Sequence, residues 1–189
     1  MKLLLCLIAS AFCITARAEP TPEPRLPLDG FLGIPWGVTE DTTKAQVASR
    51  THAQFNAKDS TDSQLRFDGG EFGGFKVHHF ILKFVAGGFC TAEVTLAPAT
   101  KTHRKEFLTF KQMLTEKFGP PGRDEQDPDS LEATWYFPIP KSPANLINLV
   151  QSSDGPGLRI AYNSDSTKKA RRNLPAPATK IPPGAKNDL

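Results

Sequence analysis

Twice along this chain an amphipathic helix is followed by three β-like segments with short connections, and this order constrains the fold most. The first helix is predicted to begin after Thr39, a good N-cap residue, and to end near Arg50. The second is predicted over residues 103–118, because phenylalanines and a leucine recur there every three or four residues. Gly119, followed by two prolines, supplies its C-terminal stop.

Six segments have the length and apolar pattern of strands. They are residues 64–68, 75–85, 89–97, 132–137, 145–152 and 157–163. Between the second and third, Gly87-Gly88 predicts a two-residue hairpin turn. Connections this short make neighbouring strands antiparallel. The sequence therefore predicts an α+β fold in the order αβββαβββ, with one antiparallel sheet and two helices packed on one face.

The first eighteen residues have the pattern of a cleavable signal peptide. Lys2 precedes an apolar run over residues 3–15, and Ala16-Arg17-Ala18 places small residues at the −3 and −1 positions of a cleavage site. The apolar run is shorter than the roughly 20 residues that a transmembrane helix needs. We therefore expect cleavage after Ala18, no transmembrane segment, and a periplasmic or secreted protein.

Proline-rich segments flank the part of the chain that is predicted to fold. Residues 19–28 contain four prolines and are interpreted as a linker. Residues 164–189 are basic and again rich in proline, which predicts a disordered tail. The single folded domain is predicted over residues 29–163, with a possible pseudo-repeat of residues 29–98 and 99–163.

The distribution of charge limits the classes of partner. The whole chain carries a formal charge of +3, but residues 165–189 hold six lysines and arginines against two aspartates. The rest of the chain is therefore not a basic platform, and we expect no nucleic-acid partner. The composition of the tail leaves weak contact with polyanions or a membrane surface open.

We find no sequence motif for catalysis, metal binding or a cofactor, and we expect none of the three. The adjacent His78 and His79 lie in a strand pattern that directs them to opposite faces, so no shared metal site is expected. The glycine-rich residues 69–74 lack the Lys-Ser/Thr of a phosphate-binding loop and are interpreted as a turn. Cys90, the one cysteine outside the signal peptide, is predicted to be buried on the helix-facing side.

The strand over residues 75–85 differs from the others because both of its faces are apolar. Its phenylalanines are assigned to the core, so the opposite face would expose apolar side chains. With two residues from the second half of the chain, these form the candidate binding surface: Val77, His79, Ile81, Val85, Tyr136 and Arg159. An apolar stripe on an uncovered sheet face is a candidate site for another protein.

Several motifs carry a resemblance to known proteins. Phe31-Leu32-Gly33-Ile34-Pro35-Trp36-Gly37 opens the domain, and the second helix closes with Lys117-Phe118-Gly119 and Pro121. This pattern resembles uncharacterised bacterial secreted and periplasmic proteins with a Gly-x-Pro-Trp-Gly opening. More distantly, the helix-then-strands repeat is similar to modules of SmpA-type outer-membrane assembly lipoproteins and of β-lactamase inhibitory proteins. That likeness implies protein binding.

Three functional hypotheses follow. The first is a non-catalytic periplasmic or secreted module that binds another envelope or secreted protein through the sheet face described above. The alternative is a binder of a small ligand or envelope polymer that uses residues 69–74 and nearby aromatic side chains; a deep pocket there would favour it. The third is an enzyme based on His79, Glu93 and Arg159, which would require these residues to meet inside a cleft.

Overall fold

The computed structural model describes residues 26–97, 104–127, 130–152 and 157–173. The predicted signal peptide, most of the predicted linker and the tail beyond residue 173 lie outside the described residues. The described chain contains three helices: α1 (Glu40–Thr51), α2 (Arg104–Phe118) and α3 (Asp165–Arg172). None of these three combines the length and the apolar character that crossing a membrane requires.

Most of the strands form one large antiparallel sheet. In chain order the strands are β1 (Gly30–Phe31), β2 (Ile34–Pro35), β3 (Gln54–Phe55), β4 (Gln64–Asp68), β5 (Glu71–Phe72), β6 (Phe75–Val85), β7 (Gly88–Leu96), β8 (Arg123–Gln126), β9 (Ser130–Ile139), β10 (Ser142–Ser152) and β11 (Leu158–Asn163). β1 and β2 form a separate two-stranded sheet, and β5 pairs with β6. The other strands are hydrogen-bonded in the order β3-β4-β6-β7-β11-β10-β9-β8.

The two halves of the chain fill the two halves of this sheet. α1 is followed by β3, β4, β6 and β7, and α2 is followed by β8, β9, β10 and β11. The last strand of each half, β7 or β11, lies at the centre, and the two pair with each other. The α+β class and the antiparallel strands are confirmed. A single sheet with two helices is not, because the described chain adds a third helix, a two-stranded sheet and several short strands.

A hydrophobic core joins the two long helices to one face of the sheet, the inner face. α1 contributes Val47. α2 contributes each apolar residue that its periodicity predicted: Phe107, Phe110, Leu114 and Phe118. Trp135 of β9 donates from Nε1 to the carbonyl of Gly119 at 2.9 Å. Gly119 has φ +79°, so the predicted glycine cap and the core share a hydrogen bond at the end of α2.

A β-bulge in β6 changes which side chains reach the core. The register between β6 and β7 shifts between Val77 and His79, so Val77 points inwards together with Phe80. Val77 is 4% exposed. The prediction that it shares a face with Ile81 is wrong, because an inserted residue interrupts the alternation of a strand.

A second register shift, between Lys83 and Phe84, sets Phe84 opposite Phe89 and moves Cys90 out of the core. Cys90 is buried, as predicted, but not on the helix-facing side with the core residues. Its Sγ donates to the carbonyl of Lys83 at 3.4 Å, and it lies in a cavity beside Lys168 of α3. Burial raises the pKa of the Cys90 thiol, which makes it a poor nucleophile.

Helix α3 begins inside the segment that composition predicted to be disordered. Ser164 is fully buried, and its hydroxyl caps α3 by accepting a hydrogen bond from the backbone N–H of Thr167 at 3.3 Å. Arg171 donates to the carbonyls of Gly37 and Ala86. The prediction of disorder is therefore wrong for residues 165–172, because polar contacts hold a helix that buries none of its own residues.

Two local boundaries also differ from the sequence prediction. Leu28, assigned to the linker, is buried, and its carbonyl accepts hydrogen bonds from Trp36 Nε1 and Asn145 Nδ2, both at 2.9 Å. The folded domain therefore begins before residue 29. The hairpin between β6 and β7 turns at Ala86-Gly87, one residue earlier than predicted.

Candidate functional site

A cleft of about 770 Å³ opens on the helical side of the sheet. The N-terminal segment with β1, the end of α1, β5 with its turn, and α2 surround it, and β11 provides its floor. We call it the cleft. Its lining includes Phe31, Phe72, Phe110, Met113, Lys117 and Tyr162. Its volume lies within the roughly 300–1,000 Å³ that is typical of sites for small ligands.

Aromatic rings form a continuous wall of the cleft. The ring of Phe72 stacks on that of Phe110, with 5.8 Å between centroids and 11° between planes. Phe72 also lies 5.6 Å from Phe31, and Phe31 lies 5.1 Å from Tyr162. Ring pairs in such geometries stabilise each other beyond the burial of their area. The contacts that hold the core together therefore also fix the position of Phe72, the half-buried ring of this wall.

Tyr162 brings a polar group to the floor of the cleft. Its side chain is 9% exposed, and its hydroxyl has no hydrogen-bond partner among the described residues. Burial raises the pKa of this phenol well above its ordinary value of 10.0, so the hydroxyl is a neutral donor near neutral pH. Within the described chain this hydroxyl is not a fully buried unsatisfied group, so it keeps some contact with solvent. A ligand that accepts a hydrogen bond from it would take the place of that water.

The mouth of the cleft combines exposed apolar side chains with charged ones. Leu26 and Met113 are 57% and 42% exposed. Lys117 contacts the ring of Phe118 but forms no ion pair within the described chain. Arg50, by contrast, donates to the backbone carbonyl of Leu32. Among the described residues, the mouth therefore offers apolar surface and the ammonium of Lys117, which is in no ion pair there, to a molecule that has both an apolar and a polar part.

The glycine-rich residues 69–74 build one side of the cleft. They fold as β5 and its flanking turns, which confirms their interpretation as a turn and places Phe72 against α2. Gly73 has φ +58°, and a Cβ on it would lie 3.0 Å from Cε1 of Phe110. A side chain there would strain the backbone and displace the aromatic wall. From sequence, a deep pocket bordered by these residues was the observation that would favour the alternative hypothesis, and residues 71–73 do line the cleft.

Sequence reasoning missed most of the other residues of the cleft. Met113 and Lys117 are exposed positions of α2. Lys117 was noted only in the motif that closes the helix, and neither residue was given a functional role. Tyr162 was assigned to the helix-facing side of its strand without a functional role. The periodicity of α2 and of β11 was the only available signal. It indicates on which face of its own helix or strand a residue lies, but not which other segments of the chain pack against that face.

The predicted binding surface does not form one cluster. Ile81 and Val85 are half-buried on the outer face, which is the sheet face opposite α1 and α2. Val77 lies on the inner face, as described above. Tyr136 is 43% exposed, but its strand β9 is four positions from β6 in the sheet. At about 4.8 Å between strands, Tyr136 lies roughly 19 Å from the strand that carries Ile81.

Charged side chains surround Ile81 on the outer face. Arg66 pairs with Asp68, with 2.7 Å between Nε and Oδ1, and Lys83 pairs with Glu93 at 2.5 Å. The outer face is therefore a mixed surface with internal ion pairs and not an apolar stripe. Such partly exposed ion pairs contribute little to stability.

The three residues of the enzyme hypothesis are neighbours on this face. Thr95 pairs in register with both His79 and Arg159, and Glu93 lies two residues before it on β7. Within the described chain no hydrogen bond joins the three residues, and Glu93 binds Lys83. They lie on an open face and not in the cleft, so the enclosed geometry that catalysis required is not formed.

The bulge in β6 brings His78 and His79 together, although the strand pattern predicted opposite faces. Their Nδ1 atoms are 2.6 Å apart, and their ring centroids are 4.9 Å apart. The inserted residue of a bulge interrupts alternation, which allows two successive side chains to share one side. Burial, and then the charge of Arg66, lowers the pKa of His79 and favours its neutral ring.

Comparisons of this chain with models of protein families, with curated proteins and with solved structures find no match. The resemblances described from sequence motifs therefore stay expectations.

Proposed function

We propose that this protein is a non-catalytic binding protein that holds a small amphiphilic molecule in the cleft. The observation that carries the proposal is the partnerless hydroxyl of Tyr162 at the floor of a preformed aromatic cleft. The molecule has an apolar body, a hydrogen-bond acceptor that reaches Tyr162, and a polar end that stays at the mouth. The signal peptide expected from the sequence would place the protein where envelope amphiphiles occur.

The apolar body of the ligand is inferred from the lining of the cleft. The half-buried ring of Phe72 presents apolar surface, Leu26 and Met113 expose more of it at the mouth, and the buried rings of Phe31 and Phe110 support this wall from behind. Removing such surface from water contributes about 25 cal/mol per Å². A ligand that covers these side chains is stabilised by the same effect that stabilises the core.

The polar end of the ligand is inferred from Lys117. Met113 and Lys117 are four residues apart on α2 and therefore lie on one side of that helix. An anionic group beside Met113 would meet the uncommitted ammonium of Lys117. We therefore favour a fatty acid or another singly charged anionic amphiphile.

The test compares two exposed apolar residues of the same helix. Met113→Arg places a bulky charge at the mouth, and Leu108→Arg makes the same change at a 45% exposed position that does not line the cleft. The readout is a fluorescence titration with a fluorescent polyene fatty acid. We expect affinity to fall at least tenfold in Met113→Arg and to stay within twofold in Leu108→Arg. Absence of saturable binding to the wild type, or equal affinity in all three proteins, would contradict the proposal.

Binding of a protein partner by the outer face is the second candidate. It is favoured by one observation: Ile81 and Tyr136 both keep exposed surface in the monomer. Capture from envelope extracts with the wild type, Ile81→Asp and Met113→Arg separates the two candidates. A partner that is lost only with Ile81→Asp would favour the outer face, and one lost only with Met113→Arg would favour the cleft.

A further inference from the structure

The histidine pair on β6 belongs to neither the core nor the cleft. Both side chains lie on the outer face, with His78 exposed and His79 half-buried. Their Nδ1 atoms face each other at 2.6 Å. In this contact one Nδ1 donates a hydrogen bond and the other accepts it, so one ring carries its proton at Nδ1 and the other at Nε2.

We infer that this pair is a binding site for a divalent transition-metal ion, with Cu²⁺ preferred over Zn²⁺. Imidazole nitrogens bind such ions at about 2.0–2.1 Å. Two nitrogens bound at a right angle, as in the tetragonal geometry of Cu²⁺, are then about 2.9 Å apart. The two Nδ1 atoms reach that separation with a small rotation of the rings. Tetrahedral geometry, which Zn²⁺ prefers, needs a wider opening.

Binding requires a change of tautomer but no net loss of a proton. The ring that holds its proton at Nδ1 transfers it to Nε2, and both Nδ1 lone pairs then point at the ion. The two rings stay neutral, which is the form of histidine that binds metals.

The charges around the pair suit a cation. Asp68 is the cross-strand neighbour of His79 in register, and both Asp68 and Glu93 favour positive charge at His79. Arg66 opposes it, but Arg66 is paired with Asp68 at 2.7 Å. The described residues contain no group of three or more acidic, histidine or cysteine side chains that could hold a metal ion. The ion is therefore held by two imidazoles, with water in its other positions.

The experiment is a Cu²⁺ titration of the full mature chain without an affinity tag, followed by calorimetry and electron paramagnetic resonance. His78→Ala and His79→Ala each remove one ligand, and His52→Asn is the matched control because Asn tolerates the φ of +57° at that position. We expect one bound Cu²⁺ with hyperfine coupling to two nitrogens. Affinity should fall at least tenfold in each alanine variant and stay within twofold in the control.

Two outcomes would overturn the inference. One is Cu²⁺ binding by the His78→Ala/His79→Ala double variant with the affinity of the wild type. The other is a nitrogen coupling pattern in the wild type that shows fewer than two imidazoles. Circular dichroism of each variant verifies folding, and the fatty-acid titration described above verifies that the cleft is intact.

Discussion

The two faces of the sheet differ in whether their polar and charged side chains are paired with one another within the protein. On the outer face, Arg66 pairs with Asp68 and Lys83 pairs with Glu93. At the cleft, by contrast, the phenolic hydroxyl of Tyr162 and the ammonium of Lys117 lack such partners within the described chain. A surface whose charges are already paired gains less from a new partner than one with unused groups. The proposed binding site is therefore based on unused interactions and not on exposure alone.

Two adjacent residues of β6 give the strongest test of the difference between the two faces. Phe80 is fully buried on the inner face, and Ile81 is half-buried on the outer face. We expect Phe80→Ala to reduce the free energy of unfolding by about 3–5 kcal/mol, through lost burial and a new cavity. Ile81→Ala should cost about 1 kcal/mol, because much of that side chain already contacts water. Urea denaturation measures both, and similar values would mean that the two faces are not distinct.

A smaller effect is expected at α3, whose Lys168 and Arg172 line a cavity together with Lys83 and Glu93 of the outer face. Arg171→Ala removes hydrogen bonds to the carbonyls of Gly37 and Ala86 and should cost about 1–2 kcal/mol of unfolding free energy. Arg172→Ala, in the next residue, removes an exposed side chain that makes no hydrogen bond to a described residue, and it should change the unfolding free energy by less than about 0.5 kcal/mol. Thermal or urea denaturation of the two variants gives the difference. Equal stabilities would show that α3 is not tethered.

The smallest effect at neutral pH is expected in the cleft itself. The folded pKa of Tyr162 is raised above 10.0, so its contribution to stability is complete below pH 10 and is lost as the pH rises further. Tyr162→Phe removes this loss, and the unfolding free energy of the variant should decline less steeply above pH 10. At pH 7 the variant should be equally stable or up to about 1 kcal/mol more stable, because the hydroxyl has no partner.

Denaturation at a series of pH values, with fatty-acid binding at pH 7, completes this test. If the hydroxyl binds the ligand, Tyr162→Phe should also weaken binding by roughly fivefold, the effect of one hydrogen bond of about 1 kcal/mol. A variant that is much less stable at pH 7 would show that the hydroxyl already has a partner. The cleft and the outer face would then no longer differ in the way described above.

Local rules were sufficient for much of the fold. The period of α2 identified each of its core residues, and Gly119 ended the helix as predicted. The alternating pattern also located β4 and β6 with the residue ranges observed. These predictions held because helix periodicity, capping and strand alternation involve residues only a few positions apart.

The failures involve contacts between distant parts of the chain. Arg171 binds carbonyls 134 and 85 residues away, and composition alone gave no indication of these partners. The bulge at His78 arises in the pairing of β6 with β7, which the sequence of β6 does not specify. It moved Val77 out of the candidate binding surface and brought the two histidines together.

By itself, the sequence determined the α+β class, the antiparallel strands and the residues of α2 that face the core, because those features follow from short-range periodicity. Only the tertiary structure decided where a ligand could bind. The cleft exists because the N-terminal segment, α1, the β5 turn and α2 meet over Tyr162, and the lack of a partner for a buried group is defined only when its surroundings are assembled.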